Sequence, residues 1–494
     1  MKGLNLRKYK KLGQVWTPRE IVDFILDKIT LFDNMKILEP ACGEGIFISA
    51  IIERLKNYEI HCVDVDKNVL EKAKIKFKNN PKIKFFNCDF LKDFQEKEYD
   101  LIISNPPFIR IQNLEDDYKK FLLNNFSFCK GDTDIFYAFI EKSIKILKDN
   151  GYLAFIIPNS WLWTKAGENF RNFLKRNEFE FKVYDFDHFQ VFPEITTYIS
   201  IIILKKSKGH YHYFRYTGND FYGVSSSWKE VSEFRLSKNN VIEIVQSQPL
   251  KIGDIRVGIA TLKDRVFIFN PKDEDDNFYY LDNFKIEKQI TKEIIKNTKI
   301  KSRDDIKNNK LRIIFPYENG KLIDEKKLKE KFPNAYNYLL AHKEVLLKRD
   351  KGKKKYENWY AFGRTQGIKN LFGKKILVPS ISKRPRFIYC DKEEALFYAG
   401  YGIFNPPYDF EIMEKILNSS IIEKYMSIIS KPYRDNWRAY SKIFLEKIRI
   451  PLLNEEEIEK LRTLSKKEEI DEFVLRLYKG GIKKLGRKYL NCFF

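Results

Sequence analysis

Asn105-Pro106-Pro107-Phe108, set directly after the apolar run Leu101-Ile102-Ile103, constrains this chain more than any other feature. The short buried-strand pattern, introduced by Tyr99-Asp100, puts the tetrapeptide at the carboxyl end of a strand, where open α/β sheets bind ligands. Two successive prolines hold φ at about −65° and push Asn105 toward extended backbone. The Asn105 carboxamide oxygen and a proline carbonyl then stand as two convergent acceptors. The planar exocyclic NH2 of a base donates one hydrogen to each and turns its nitrogen lone pair outward, at an electrophile. No strong base is needed, because the proton can leave after a methyl group arrives. Phe108 adds a flat apolar face for stacking, worth about 1–3 kcal/mol. The plain alternative is a Pro-Pro strand end with no ligand, and what lies upstream argues against it.

Ile37-Leu38-Glu39-Pro40-Ala41-Cys42-Gly43-Glu44-Gly45 reads as a short apolar strand turning into a helical run, Ile46 to Leu55. Gly43 and Gly45 permit positive φ and a close approach of ligand to backbone. The spacing is not the dinucleotide pattern G-x-G-x-x-G. The next strand, Ile60-His61-Cys62-Val63, ends in Asp64 about twenty residues on, where a carboxylate can accept both hydroxyls of a ribose. A third, Lys84 to Cys88, ends in Asp89-Phe90, an acceptor and an apolar wall for an adenine ring. Each element alone is weak. Four strand ends with suitable residues, in order, are not.

On these residues the chain resembles the γ-class (TaqI-type) N(6)-adenine DNA methyltransferases, which use S-adenosylmethionine. The resemblance begins at Gln14-Val15-Trp16-Thr17-Pro18 and a helix Ile21–Ile29, and passes through the loop 38–45, Asp64, Asp89 and Asn105–Phe108. It continues through Asp132-Thr133-Asp134-Ile135-Phe136-Tyr137, residues 151–158, and Val191-Phe192-Pro193-Glu194. It is specific over about residues 10–205 and looser beyond. It implies a Rossmann-like class I methyltransferase domain (α/β, a mixed seven-stranded sheet) followed by an α+β target-recognition domain. It implies a cofactor site of Thr17, Glu39, Ala41, Gly43, Gly45, Asp64, Asp89, Phe90, Asn105 and Pro107. Catalysis falls to Asn105, Pro106, Pro107 and Phe108, with Phe192 stacking on the far face of an extruded base. One departure is Asp64, where relatives often carry Glu; it shortens the reach to the ribose by one methylene.

Length and composition agree. A chain of 494 residues predicts two domains, each with its own core. Hydrophobic content of 43% with 15% aromatic residues argues against general disorder. Cysteines 42, 62, 88, 129, 390 and 492 form no C-x-x-C pair, which predicts free thiols in a reducing cytosol, with no disulfide and no zinc. Residues 1–12 are basic but lack the apolar stretch of a signal peptide, and no run approaches the roughly 20 apolar residues of a membrane span. A cytoplasmic protein of a bacterium or archaeon is expected.

The formal charge is +23, and residues 341–390 alone carry 14 Lys/Arg against 3 Asp/Glu. The run Lys348 to Lys355 is followed by Trp359, Tyr360, Phe362 and Arg364. A charge run is usually a solvated face. Beside a base-holding loop it reads as a phosphate-contacting surface on double-stranded DNA, with Lys353, Lys354, Lys355, Arg364, Lys383, Arg384 and Arg386 as the expected contacts. Asn405-Pro406-Pro407-Tyr408 repeats the signature letters but follows Gly400-Tyr401-Gly402, and reads as a turn. His210 and His212 lie at strand spacing without a ligand cluster, so no metal is expected.

The predicted organisation is a catalytic domain over 1–205, a connecting segment 206–240, a target-recognition domain 241–452 and a C-terminal helical appendage 453–494. The function expected is site-specific adenine methylation by base flipping, in a monomer that serves a restriction-modification system with a separate nuclease. A methyltransferase acting on an RNA guanine amine or a protein glutamine is the alternative, since both chemistries can use this loop. A non-catalytic DNA-binding subunit would not need Asn105, Gly43, Gly45, Asp64 and Asp89 intact.

Overall fold

The computed structural model describes residues 16–95, 97–192, 197–236, 241–352, 356–364 and 368–484. The chain divides into two compact units, Met1–Lys238 and Asn239–Phe494. Unit one is built on helix α1 (Arg19–Leu26), strand β1 (Met35–Glu39), α2 (Ile46–Ile52), β2 (Tyr58–Val63), α3 (Lys67–Lys76), β3 (Ile83–Phe86), β4 (Tyr99–Ser104), α4 (Asp116–Asn125), α5 (Phe136–Ile146), β5 (Leu147–Pro158), α6 (Glu168–Asn177), β6 (Phe179–Asp185), β7 (Ile199–Lys208), β8 (Tyr211–Tyr216) and β9 (Phe221–Ser226).

These strands form one sheet in the order β3-β2-β1-β4-β5-β7-β6-β8-β9. Strands β1 to β5 run parallel, β7 is antiparallel to both β5 and β6, and β8 runs parallel to β6. Leu101, Ile102 and Ile103 of β4 are all fully buried, as a central strand covered on both faces requires. From β1 the chain winds outward to β3, then returns to the other side of β1 as β4. The carboxyl ends of β1 and β4 therefore flank the switch point at which such sheets bind ligands.

Two corrections follow for unit one. Of the expected connector, residues 206–226 supply the end of β7 and all of β8 and β9, and among the described residues the sheet has nine strands in place of the expected seven. Tyr211 and Tyr213 turn inward from β8 while His212 lies between them, the period-2 burial of a strand. Beneath them lies a buried ionic cluster. Asp185 accepts from Asn159 Nδ2 (2.8 Å), Tyr213 OH (2.7 Å) and Arg235 Nε (3.1 Å). Asp187 accepts from Arg235 Nη2 and Arg215 Nη2, both at 2.6 Å. Asp185, Asp187 and Arg235 are at most 3% exposed, so each charge depends on the others for compensation.

Unit two joins antiparallel and mixed sheets to helices. One four-stranded sheet orders Asp254–Val257, Gly400–Phe404, Lys375–Pro379 and Ile388–Cys390. A second orders Ile268–Phe269, Arg312–Ile314, Thr291–Lys296 and Leu396–Tyr398. The C-terminal helices are part of this unit and not an appendage. The helix from Glu455 to Thr463 buries Leu461, and that from Lys467 buries Val474 and Tyr478. Lys415 Nζ closes the first, donating to Leu461 O (2.7 Å), Arg462 O (3.0 Å) and Leu464 O (2.8 Å). Each fully buried apolar side chain contributes about 1.5–3 kcal/mol. Among the described residues, no helix is long and apolar enough to cross a membrane.

Candidate active site

The loop after β1 is shaped by its two glycines. Gly43 (φ 54°) and Gly45 (φ 77°) both adopt left-handed backbone, and Gly45 caps α2. A Cβ on Gly45 would lie 2.6 Å from Phe77 Cε2, so this glycine seats the helix on its neighbour. A Cβ on Gly43 would meet nothing within 4 Å, so the backbone there faces open space. Cys42 N donates to Val63 O (3.0 Å), which ties the turn through Ala41 to β2.

Three carboxylates stand at successive strand ends. Glu39, closing β1, is 2% exposed, and its Oε2 has no hydrogen-bond partner among the described residues. Burial, then the proximity of Cys62 and Asp64, holds its carboxyl well above the usual range. Asp64, after β2, is 7% exposed; Oδ2 accepts from Gly43 N (2.9 Å) and Oδ1 from Asp66 N (2.8 Å). Burial raises its pKa despite these amides. Each oxygen keeps one further lone pair for a ribose hydroxyl. Asp89, after β3, accepts from Leu91 N (2.8 Å) through Oδ1 and from Tyr118 OH (2.7 Å) through Oδ2. Tyr118 has no signal in the sequence, since it reaches Asp89 from α4, 29 residues away. Phe90 is not the open adenine wall expected of it. It is 3% exposed and packs on Phe94 and Phe139, and so buttresses the Asp89 turn.

Asn105 follows β4 directly, and its Nδ2 donates to Thr17 Oγ1 (3.1 Å). That bond orients the carboxamide and brings the Thr17-Pro18 segment to the strand end. Pro106 is buried, while Pro107 and Phe108 are half-buried. The following residues are clamped by the Asp132–Asp134 segment: Ile111 N donates to Thr133 O (3.0 Å) and Ile135 N to Ile109 O (2.9 Å). Phe108 meets Phe136 edge-on, at 6.4 Å between ring centres. Phe192 departs from expectation. It is 2% exposed within the core that also holds Val22, Ile103 and Ile201, so its ring offers no face to a base here. Pro193 and Glu194 lie outside the described residues.

Of the expected basic contacts, Lys353, Lys354 and Lys355 lie outside the described residues. Arg364, Lys383 and Arg384 are exposed on unit two. Arg386 is turned inward, with Nη2 donating to Thr298 O (3.2 Å) and its pKa lowered by burial, so it is a structural residue. Arg349, within the basic run, is 2% exposed and donates to Leu346 O (2.8 Å), Ala361 O (2.5 Å) and Trp359 O (2.8 Å). Tyr360 and Phe362 are core residues too. Asn405 takes a left-handed turn (φ 47°) and donates to Asp254 Oδ2 (2.8 Å). It follows a buried strand after all, Gly400–Phe404, but in an antiparallel sheet. His212 meets Ser225 Oγ (2.6 Å) and Glu180 (2.8 Å) across neighbouring strands.

A sheet in this order with β7 and β9 reversed, a glycine turn after β1 and acidic residues at the first three strand ends make up the fold and cofactor cleft of the class I S-adenosylmethionine-dependent methyltransferases. Residues 25–192 match the model of the Eco57I restriction-modification methylase family, in agreement with the methyltransferase resemblance of the sequence. It is 28% identical over 470 residues to the Type II methyltransferase M.HindII of Haemophilus influenzae, which covers 84% of this chain and 85% of that one. It is 25% identical over 415 residues to the Type II restriction enzyme and methyltransferase RM.Eco57I of Escherichia coli. That match takes in 73% of this chain and 41% of the relative, so the chain spans under half of that larger protein. Among solved structures, the Type IIL restriction-modification enzyme MmeI superposes with a TM-score of 0.63 at 13% identity, over 98% of this chain and 75% of that one. This last likeness concerns the fold.

The residues fit the cofactor. S-adenosylmethionine supplies an electrophilic methyl group on a positively charged sulfonium. The buried Glu39 carboxylate oxygen suits its ammonium group, the open backbone at Gly43 leaves room for it, and Asp64 and Asp89 suit a ribose and an adenine amine. Acidic side chains at three adjacent strand ends, with Glu39 ionising as the ammonium group arrives, give the cleft the negative field that a cationic ligand requires.

Proposed function

We propose that this protein methylates the N(6) amine of adenine in duplex DNA, at a specific sequence, as the modification enzyme of a restriction-modification system. The observation that carries the reading is Asn105, held at the end of β4 by Thr17 Oγ1 and clamped from behind by the Thr133–Ile135 backbone. A carboxamide so oriented accepts one amine hydrogen while a proline carbonyl accepts the other. The amine nitrogen keeps its lone pair for the incoming methyl; as the N–C bond formed, the bond from methyl to sulfonium sulfur would break with its electron pair passing to sulfur, and the surplus proton on nitrogen would leave to water. An amine inside a duplex cannot reach such a loop, so the base leaves the stack at a cost of a few kcal/mol. Half-buried Phe108 offers it an apolar edge. The exposed cations of unit two supply phosphate contacts. The protein acts as a monomer, in the cytoplasm where chromosomal DNA lies, alongside a separate nuclease.

Asn105→Ala tests this. Tritiated-methyl transfer to DNA should be lost while calorimetric affinity for S-adenosylmethionine stays near that of the unaltered protein. Transfer at an undiminished rate would remove Asn105 from the chemistry. Single-molecule sequencing of DNA from expressing cells should show N(6)-methyladenine in one sequence context; methylation confined to RNA or protein would overturn the substrate.

A further inference from the structure

Unit two carries a basic, aromatic hairpin outside the stretch that composition singles out. Lys431 and Tyr433 lie on one arm, Trp437 and Arg438 on the other. Tyr433 N donates to Trp437 O (2.7 Å) and Ala439 N to Lys431 O (3.0 Å). The second arm pairs with a neighbouring segment, Ile381 opposite Ala439 and Ser382 opposite Arg438. That register sets Lys383 and Arg384 beside the hairpin. Lys383 Nζ lies 6.0 Å from the Trp437 ring centre, and Lys431 Nζ lies 4.9 Å from that of Tyr433.

The tip is Arg434-Asp435-Asn436, all exposed. Asp435 (φ 58°) and Asn436 (φ 61°) are consecutive left-handed residues with side chains. Two such residues in succession are what the tight two-residue turn of a hairpin requires, and Asp and Asn are among the residues that adopt this backbone, so the tip is a preformed turn. The tip is held in shape from below. Arg438, 2% exposed, donates through Nη2 to Asn436 Oδ1 (3.1 Å). Four cations, Lys383, Arg384, Lys431 and Arg434, thus surround a rigid two-stranded finger, with Asp435 and Glu423 the acidic residues among them.

A surface hairpin with no ligand would not need a buried arginine to fix its tip or aromatic rings under its lysines. We infer that this finger is a sequence-reading element of the DNA-recognition surface, an inference that rests on the duplex-methylation reading above. The major groove, about 12 Å wide, admits a two-stranded ribbon. Arg434, at the tip, reads a base edge; its planar fork matches O6 and N7 of guanine. Lys383 and Arg384, flanking it, contact phosphates.

The test starts from the methylated sequence mapped in expressing cells. Duplexes carrying that sequence, and each of its single base-pair variants, are titrated by fluorescence anisotropy at several salt concentrations. Arg434→Ala should melt like the unaltered protein, since Arg434 is exposed, and should lower discrimination at one base pair by roughly 5- to 150-fold. Lys383→Ala combined with Arg384→Ala should weaken binding to all duplexes alike and reduce the salt slope by about two. Arg434→Ala discriminating like the unaltered protein at every position would overturn the inference. So would a uniform loss with a shallower salt slope, which would make Arg434 a phosphate contact. If the unaltered protein neither binds nor methylates duplex DNA, the underlying reading fails first, and that outcome needs no variant to be seen.

Discussion

Gly43 and Gly45 should respond differently to the same substitution, and the difference can be worked from the loop. An alanine at either position keeps the left-handed backbone at a cost of about 1–2 kcal/mol. At Gly43 the new methyl meets nothing within 4 Å, so that cost is the whole effect on the cofactor-free protein. At Gly45 it lands 2.6 Å from Phe77 Cε2 and 3.0 Å from Ile48 Cδ1. Phe77 is 7% exposed in a packed core, and forcing it aside adds about 1–3 kcal/mol. Gly45→Ala should therefore cost about 2–5 kcal/mol against about 1–2 for Gly43→Ala. In a unit of this size each kcal/mol lowers the melting temperature by about 2–4 °C. Binding should rank the other way relative to stability: the Gly43 methyl fills the space assigned to cofactor and should weaken calorimetric affinity by about tenfold or more, about 1.4 kcal/mol. Thermal melting without cofactor, with calorimetry on the same samples, measures both. Equal destabilisation by the two variants, or undiminished affinity in Gly43→Ala, would refute this account of the loop.

Glu39 predicts a pH dependence with two opposite signs. Its raised pKa means the cofactor-free fold is favoured by the protonated carboxyl, so this contribution is full below the ordinary carboxylate range and is lost as pH rises toward the folded-state value. A cationic cofactor favours the ionised form, so affinity should weaken as pH falls through that same window; Glu39→Gln should flatten both dependences, which melting and calorimetry across pH would check. Arg349→Ala should destabilise the protein by about 3 kcal/mol or more despite lying in a basic run, because it strands the carbonyls of Leu346, Trp359 and Ala361. Urea unfolding that gives equal stability would place that guanidinium in solvent.

What the sequence disclosed was what depends on local order. Continuous apolar runs gave β1, β2 and β4, and the candidate site residues stand at or just after their ends, where open α/β sheets have their ligand cleft. Side-chain destinations were less legible. Arg384 and Arg386 are two residues apart on one loop, yet one faces solvent and the other Thr298; the difference lies in which backbone carbonyl happens to be within reach. Arg349 is the same case within a run of lysines. Phe192 had a motif to recommend it, but packing decides whether a lone phenylalanine is wall or core. Tyr211 to Tyr216 alternates as a strand should, but its inward face carries two tyrosines and Arg215 and its other face begins with His212, so the pattern reads as polar linker.

The buried cluster under β8 has a consequence for where the catalytic unit can be cut. A chain stopped at Lys205 would keep every residue of the candidate cofactor and amine sites, yet it would lose Tyr213, Arg215 and Arg235. Asp185 and Asp187 would be left ionised in the interior, and the free edge of β6 would offer its unpaired amides to other chains. The smallest autonomous catalytic piece therefore extends past Arg235. Shuffling recognition units between relatives should succeed only with crossovers placed beyond that residue.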